Sequence, residues 1–218
     1  MCGVPYGEID EDRLLHALVL VHDPIFNRQR IGVQAKGLSA LESLLFAKYQ
    51  MYRNVYWHHA VRSATAMYKR LVESALASGA VSVGALGGYD DEGLLHALDA
   101  GATTGSRGVL DALRRRRLFK RAFEAPAATL PMEQLEWIAD DRDRTRAAEL
   151  AMGARLGLAP GELLLDFPAK TQMLGLDIPV LSEDGTVSRL TQEGMQGAMN
   201  LSRMADSLYR SARSLRVF

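Results

Sequence analysis

From Ser39 to Ser78 the chain runs for forty residues without a glycine or a proline, a length that few folds can accommodate unless it is helical. Ser39 followed by Glu42 has the spacing of a capping box, and Gly79 is a natural stop. At ~1.5 Å per residue an unbroken helix over 39–78 would approach ~60 Å, enough to cross a domain. Its middle carries Phe46, Tyr49, Tyr52, Tyr56 and Trp57, with His58 and His59 just beyond. A core stripe is usually built from Leu and Ile, so phenols and imidazoles suggest a face that meets something polar.

The rest reads as helices with a small, late sheet. Asp10 caps a short amphipathic helix carrying Leu14, Leu15, Leu18 and Val21, which Asp23-Pro24 ends. Residues 30–35 alternate like a strand. Asp90 and Asp91 cap another helix, Thr103 to Ser106 reads as a turn before a further one, and Leu118 to Phe123 reads as an edge strand. Met132 to Leu156 reads as one helix whose centre is charged. Glu162 to Asp166 suits a buried strand, and Ile178–Leu181 with Val187–Leu190 forms a hairpin around Asp184-Gly185. Thr191 to Ala212 reads as a helix and Leu215 to Phe218 as a last strand. The expected class is therefore mainly α within α+β: a long central helix, a helical subdomain, and a small antiparallel sheet in the C-terminal part. Two domains are expected, 1–125 with the helix 39–78, and 126–218.

Composition narrows the function classes. The 26 basic and 26 acidic residues cancel, which argues against nucleic acid as a partner. No apolar run nears the ~20 residues of a membrane span, and residues 1–7 lack the charge and apolarity of a signal peptide. Cys2 alone cannot form an internal disulfide and suits a reducing, cytoplasmic setting. Of the five histidines, His16, His22, His58, His59 and His96, no two have the i, i+4 spacing of a helical metal pair, and His58 and His59 should diverge around a helix. Arg114 to Arg117 suits a helix C-terminus, whose dipole favours cations.

One ligand face stands out. Lys48, Tyr52, Tyr56 and His59 fall at i, i+4, i+8 and i+11, in line along a helix. A cation for phosphate and rings for sugar or base suit a nucleotide. The same residues would also suit a helix flank whose tyrosines pack while their hydroxyls reach water.

The segment Lys48-Tyr-Gln-Met-Tyr-Arg-Asn-Val-Tyr-Trp-His-His-Ala-Val-Arg62 resembles a helix of the HD-domain phosphohydrolases of the deoxynucleoside triphosphate triphosphohydrolase type. Gly3-Val-Pro-Tyr-Gly through Arg13, Tyr89 to Leu95, Leu165 to Lys170 and Leu208 to Phe218 resemble further family segments in order. The resemblance implies a metal-dependent phosphohydrolase acting on nucleotides. It places Lys48 near the terminal phosphate, Tyr52 beside the bound nucleotide, and Tyr56 against its sugar. Arg13 and Lys36 align with residues that bind an activating nucleotide between subunits in some relatives, whereas Gln34 stands where those relatives have an Arg. The family's metal ligands, a His, a His-Asp pair and a final Asp, have no counterpart; His22-Asp23 has the letters in a different segment. The chain would then be the C-terminal portion of such an enzyme. No metal, cofactor or catalytic residue is expected in it; a divalent metal is implied for the complete domain. It would supply substrate-binding and homo-oligomer surfaces while being inactive alone. The alternative is a non-catalytic nucleotide-binding or assembly module derived from the same family.

Overall fold

The computed structural model describes residues 9–102, 104–169, 177–191 and 209–218. The loop expected at Gly3–Gly7 and most of the helix expected at Thr191–Ala212 lie outside them; residues 209–212 are helical. The class is α+β, and the chain forms two compact units. One comprises residues 1–56 and 170–212, the other 57–169 and 213–218. Residue 125, where a boundary was expected, lies inside the second.

In the first unit Asp10 caps α1 (Glu11–His16), its carboxylate accepting the Arg13 N–H at 2.9 Å. The helix stops there. Leu18 and Val21, expected on its apolar side, instead belong to β1 (Leu18–Asp23), which pairs antiparallel with β2 (Arg28–Gln34). Alternating β-branched and Leu positions suit a pleat better than a further helical turn. Asn27 makes the turn between them with a φ of 47°, a left-handed value that Asn tolerates. A 3₁₀ turn, Ala35–Gly37, then leads into α2 (Leu38–Met51). Gly37 is required here, because a Cβ would collide with that of Ala17. It is also the N-cap of α2, so the capping box expected from Ser39 and Glu42 does not form.

The uninterrupted helix expected over 39–78 is not observed. After α2 the backbone widens into a π turn, Tyr52–Tyr56, and α3 (His59–Ala77) starts afresh. His58 is extended and caps α3 with its own Nδ1, which accepts the Ala60 N–H at 3.4 Å. No glycine or proline marks this break because a π turn and a side-chain cap need neither.

The second unit continues through α4 (Val83–Leu86), α5 (Asp91–Ala100, capped by Asp90) and α6 (Thr104–Arg114). Most of the expected Thr103–Ser106 turn is thus the start of α6. The edge strand expected at Leu118–Phe123 lies further on, as β3 (Phe123–Pro126), because Leu118 and Phe119 pack against the core instead. The helix expected over Met132–Leu156 is divided into a 3₁₀ turn, α7 (Trp137–Asp140) and α8 (Arg142–Arg155); Asp141 breaks it by capping α8 through the Arg144 N–H. β4 (Leu165–Asp166) closes this run.

β5 (Ile178–Leu181) and β6 (Val187–Leu190) form the expected hairpin, with Gly185 at φ 82°. It joins the first unit's sheet, order β1-β2-β5-β6, in which β2 and β5 run parallel; that sheet is mixed and includes N-terminal strands, not only the expected antiparallel C-terminal ones. β7 (Ser214–Val217) is central in the second unit's antiparallel sheet, order β3-β7-β4. The core of that unit is built on α3, whose Met67 and Leu71 meet Val81, Leu98, Leu110, Leu164 and Phe218.

Candidate functional site

Lys48 occupies the last turn of α2, where a cation complements the negative end of the helix dipole, and it is exposed. The Tyr52 N–H donates back to the carbonyls of Lys48 and Tyr49, and the π turn begins at that point. Within it the rings of Tyr52 and Tyr56 meet at a centroid separation of 5.2 Å, tilted by 56°. That distance and tilt lie in the range of favourable aromatic pairs. Tyr56 is half exposed, whereas Tyr49 and Trp57, from the same ring-rich stretch, are buried. The structure thus sorts the aromatics: Tyr49 and Trp57 belong to cores, and the Tyr52–Tyr56 pair follows an exposed ammonium. His59, expected in the same line, belongs to the second unit.

Arg13 and Lys36, distant in sequence, are brought together. The Arg13 guanidinium donates from Nε and Nη2 to the Lys36 carbonyl at 3.3 and 3.1 Å, which fixes one cation beside the backbone of another. Gln34 is tied down through its N–H to the Ala17 carbonyl at 2.8 Å.

His58 and His59 do not diverge. Because His58 stands outside the helix as its cap, the two rings meet at 4.2 Å. His59 is exposed, but some desolvation, the neighbouring His58 and nearby Arg121 hold its imidazole below the usual pKa. Asp23 is fully buried, accepts the Ile25 and Phe26 N–H groups, and pairs with Arg30 at 3.0 Å.

The second unit holds a polar network that sequence reasoning missed. Arg62 on α3 forks onto Asp166 of β4, donating from Nε at 2.9 Å and also from Nη2. Arg216 of β7 stands 4.0 Å from the same carboxylate, contacts Glu124 at 2.9 Å and donates to the Trp57 carbonyl at 2.9 Å. Burial lowers the Arg216 pKa against the pull of Glu124 and Asp166. Arg70 pairs with Glu149, which also accepts the Leu165 N–H at 2.8 Å. Burial pushes the Glu149 carboxyl above its ordinary value despite both donors. The only sequence signal for this network was an acidic residue closing the apolar run Leu163-Leu164-Leu165-Asp166.

Among the described residues no group of three or more His, Cys, Asp or Glu side chains could hold a metal ion, so the divalent metal implied by the resemblance has no fitting site in them. No described helix is long and apolar enough to cross a membrane.

Comparison with known proteins gives the chain its relatives. Over 191 residues it is 28% identical to the uncharacterized protein MJ1154 of Methanocaldococcus jannaschii, covering 87% of this chain and 40% of that one. Over 73 residues it is 32% identical to the uncharacterized protein YwfO of Bacillus subtilis, 34% of this chain and 16% of that one. The chain therefore spans less than half the length of either relative. Among solved structures it is similar to a phosphohydrolase, BT4208, from Bacteroides thetaiotaomicron, with a TM-score of 0.58 and 18% identity over 96% of this chain and 56% of that one. It is also similar to a hypothetical protein from Aquifex aeolicus, with a TM-score of 0.55 and 23% identity over 99% and 49%. At these identities the likeness is one of fold. The family profile described as HD associated region matches residues 9–206, nearly the whole chain, and the protein belongs to that family.

Proposed function

We propose that this HD-associated region lends a substrate-binding surface to an HD-type, metal-dependent phosphohydrolase acting on deoxynucleoside triphosphates, and that it assembles as a homo-oligomer. The observation that carries the reading is the Tyr52–Tyr56 ring pair, with exposed Lys48 one helical turn before it. In this reading the Lys48 ammonium holds a terminal phosphate oxygen. Tyr52 lies beside the nucleotide and Tyr56 packs against its sugar, where a ring excludes water and tolerates little added bulk. Arg13 and Lys36, held together in the same unit, offer a second pair of cations for a regulatory nucleotide. In the complete family domain a divalent metal would supply activation of the attacking water, and none of the residues named here would hold it. The residues named here bind and orient, and the chain alone performs no hydrolysis.

Titration of the 218-residue chain with dGTP, followed by thermal shift, tests the reading. A ligand that binds only the folded state stabilises it by RT ln(1 + [L]/Kd), about 2.7 kcal/mol at 100 Kd. Saturable stabilisation that disappears in Lys48→Ala and Tyr56→Ala is expected, with no release of deoxynucleoside when Mn²⁺ is added. Stabilisation that survives both substitutions would overturn the assignment of the site. Metal-dependent hydrolysis by the chain alone would overturn its assignment as a binding surface only.

A further inference from the structure

The second unit contains a cavity of about 310 Å³ between α3, the α7–α8 pair and β4, at the small end of ligand-sized pockets. Its walls combine apolar side chains, Leu76, Ile138, Leu164 and Phe167, with the Arg62–Asp166 and Arg70–Glu149 pairs. The two carboxylates are already committed: Asp166 to the Arg62 fork, Glu149 to Arg70 and the Leu165 N–H. Glu73 is loosely shared, 3.7 Å from Arg70 and 4.0 Å from Arg142. Besides Glu73 and the Tyr68 hydroxyl, the loosely held polarity on the wall is cationic. Lys69 is exposed, Arg142 is 76% exposed, and the Nε–H of Arg70 is buried without an acceptor among the described residues. A buried donor lacking its acceptor leaves a desolvation cost that a bound anion would relieve.

We propose that this cavity binds a small organic carboxylate with an apolar body. The carboxylate accepts from the Arg70 Nε–H, Lys69 and Arg142 supply the charge, and the body lies along Leu76, Ile138 and Leu164. A carboxylate fits better than a phosphate dianion, because one buried donor cannot replace the several hydrogen bonds that a dianion would lose from water. The site lies in the other unit from Lys48 and the tyrosine pair and does not depend on their assignment.

Hexanoate is the probe, with hexan-1-ol and inorganic phosphate as controls, measured by calorimetric titration and thermal shift on the whole chain. Hexanoate should bind saturably and raise Tm, and both controls should bind at least about tenfold more weakly, the loss of one charge-assisted hydrogen bond. Lys69→Gln, on the surface, should weaken hexanoate without changing the Tm of the free protein. Ile138→Trp should block the cavity. Absence of hexanoate binding, binding matched by hexan-1-ol, preference for phosphate, or full binding by Lys69→Gln would each overturn the proposal. Lys69→Gln decides the matter even if Ile138→Trp does not fold.

Discussion

Replacing Asp166 by Asn should be among the most damaging conservative changes in the second unit. Asp166 is 6% exposed and faces Arg62 and Arg216, whose side chains are 13% and 5% exposed. Asn keeps the shape but removes the charge, leaving two buried guanidiniums with only Glu124 as an acidic partner among the contacts above. Removing one member of a buried ion pair costs ~3–5 kcal/mol, and the residual exposure of Arg62 places this case near ~3 kcal/mol. For a unit of this size each kcal/mol moves Tm by roughly 3–5 °C, so a fall of about 10 °C is expected. Near-ultraviolet circular dichroism during a thermal scan measures it. Added salt to ~1 M should restore little, since the pair lies away from the screening solvent. The double variant Arg62→Leu/Asp166→Leu, which removes both charges, should cost less than Asp166→Asn alone, because well-packed apolar replacements of buried pairs are often near neutral. A Tm within about 2 °C of the parent for Asp166→Asn would refute the view that uncompensated charge dominates here.

Two carboxylates and one left-handed backbone position give three further outcomes. Glu149 is held above its ordinary pKa by burial, so the folded chain binds its proton more readily than the unfolded one; stability should fall as pH rises from the ordinary carboxylate range through that raised value, and Glu149→Gln should flatten this slope in a Tm-against-pH series. Asp23 has the opposite sign: burial opposes ionisation, but the Ile25 and Phe26 N–H groups and the Arg30 and Arg189 guanidiniums outweigh it. Its contribution is therefore present above the ordinary carboxylate range and lost as pH falls through the depressed value, a loss that Asp23→Asn should abolish. Arg116 sits at φ 55° after α6, with its N–H on the Leu113 carbonyl and the Arg117 N–H on that of Ala112, an arrangement in which glycine is preferred. Arg116→Gly should raise stability by ~0.5–1 kcal/mol in chemical denaturation, and a decrease would mean that the cation matters more than the backbone.

What was legible in the sequence is what short-range chemistry decides. Asp10 and Asp90 each accept an N–H three residues on, and Asp184-Gly185 turns a hairpin, because caps and turns involve neighbours along the chain. Helix ends without a glycine or proline were not legible. His58 caps with a ring nitrogen, Asp141 hides within a charged run, and α1 yields to β1 because Val19 and Val21 find partners in β2. The Arg62–Asp166 and Arg213–Glu136 pairs join residues 104 and 77 apart, and no periodicity reports a contact at that separation. Arg13 and Lys36 were singled out by resemblance, and the structure supplies the contact between them.

The ring-rich stretch illustrates the same limit and gives the control that the nucleotide experiment needs. Composition suggested one polar aromatic face, but Tyr49 is 4% exposed and tilts against Phe46 at 5.9 Å, while Tyr56 is 50% exposed. A buried aromatic truncated to Ala loses transfer energy and leaves a cavity, ~3–5 kcal/mol. Tyr56→Ala forfeits mainly its contact with Tyr52, roughly 0.5–1.5 kcal/mol beyond whatever area it covers. Tyr49→Ala should therefore lower Tm steeply, and Tyr49→Phe should restore it while leaving any dGTP response intact. Tyr56→Ala should lower Tm by only a few degrees, well short of Tyr49→Ala, and remove the response. If the two positions behaved alike in both assays, exposure would not separate binding rings from packing rings, and the Tyr52–Tyr56 pair would lose its claim to the site.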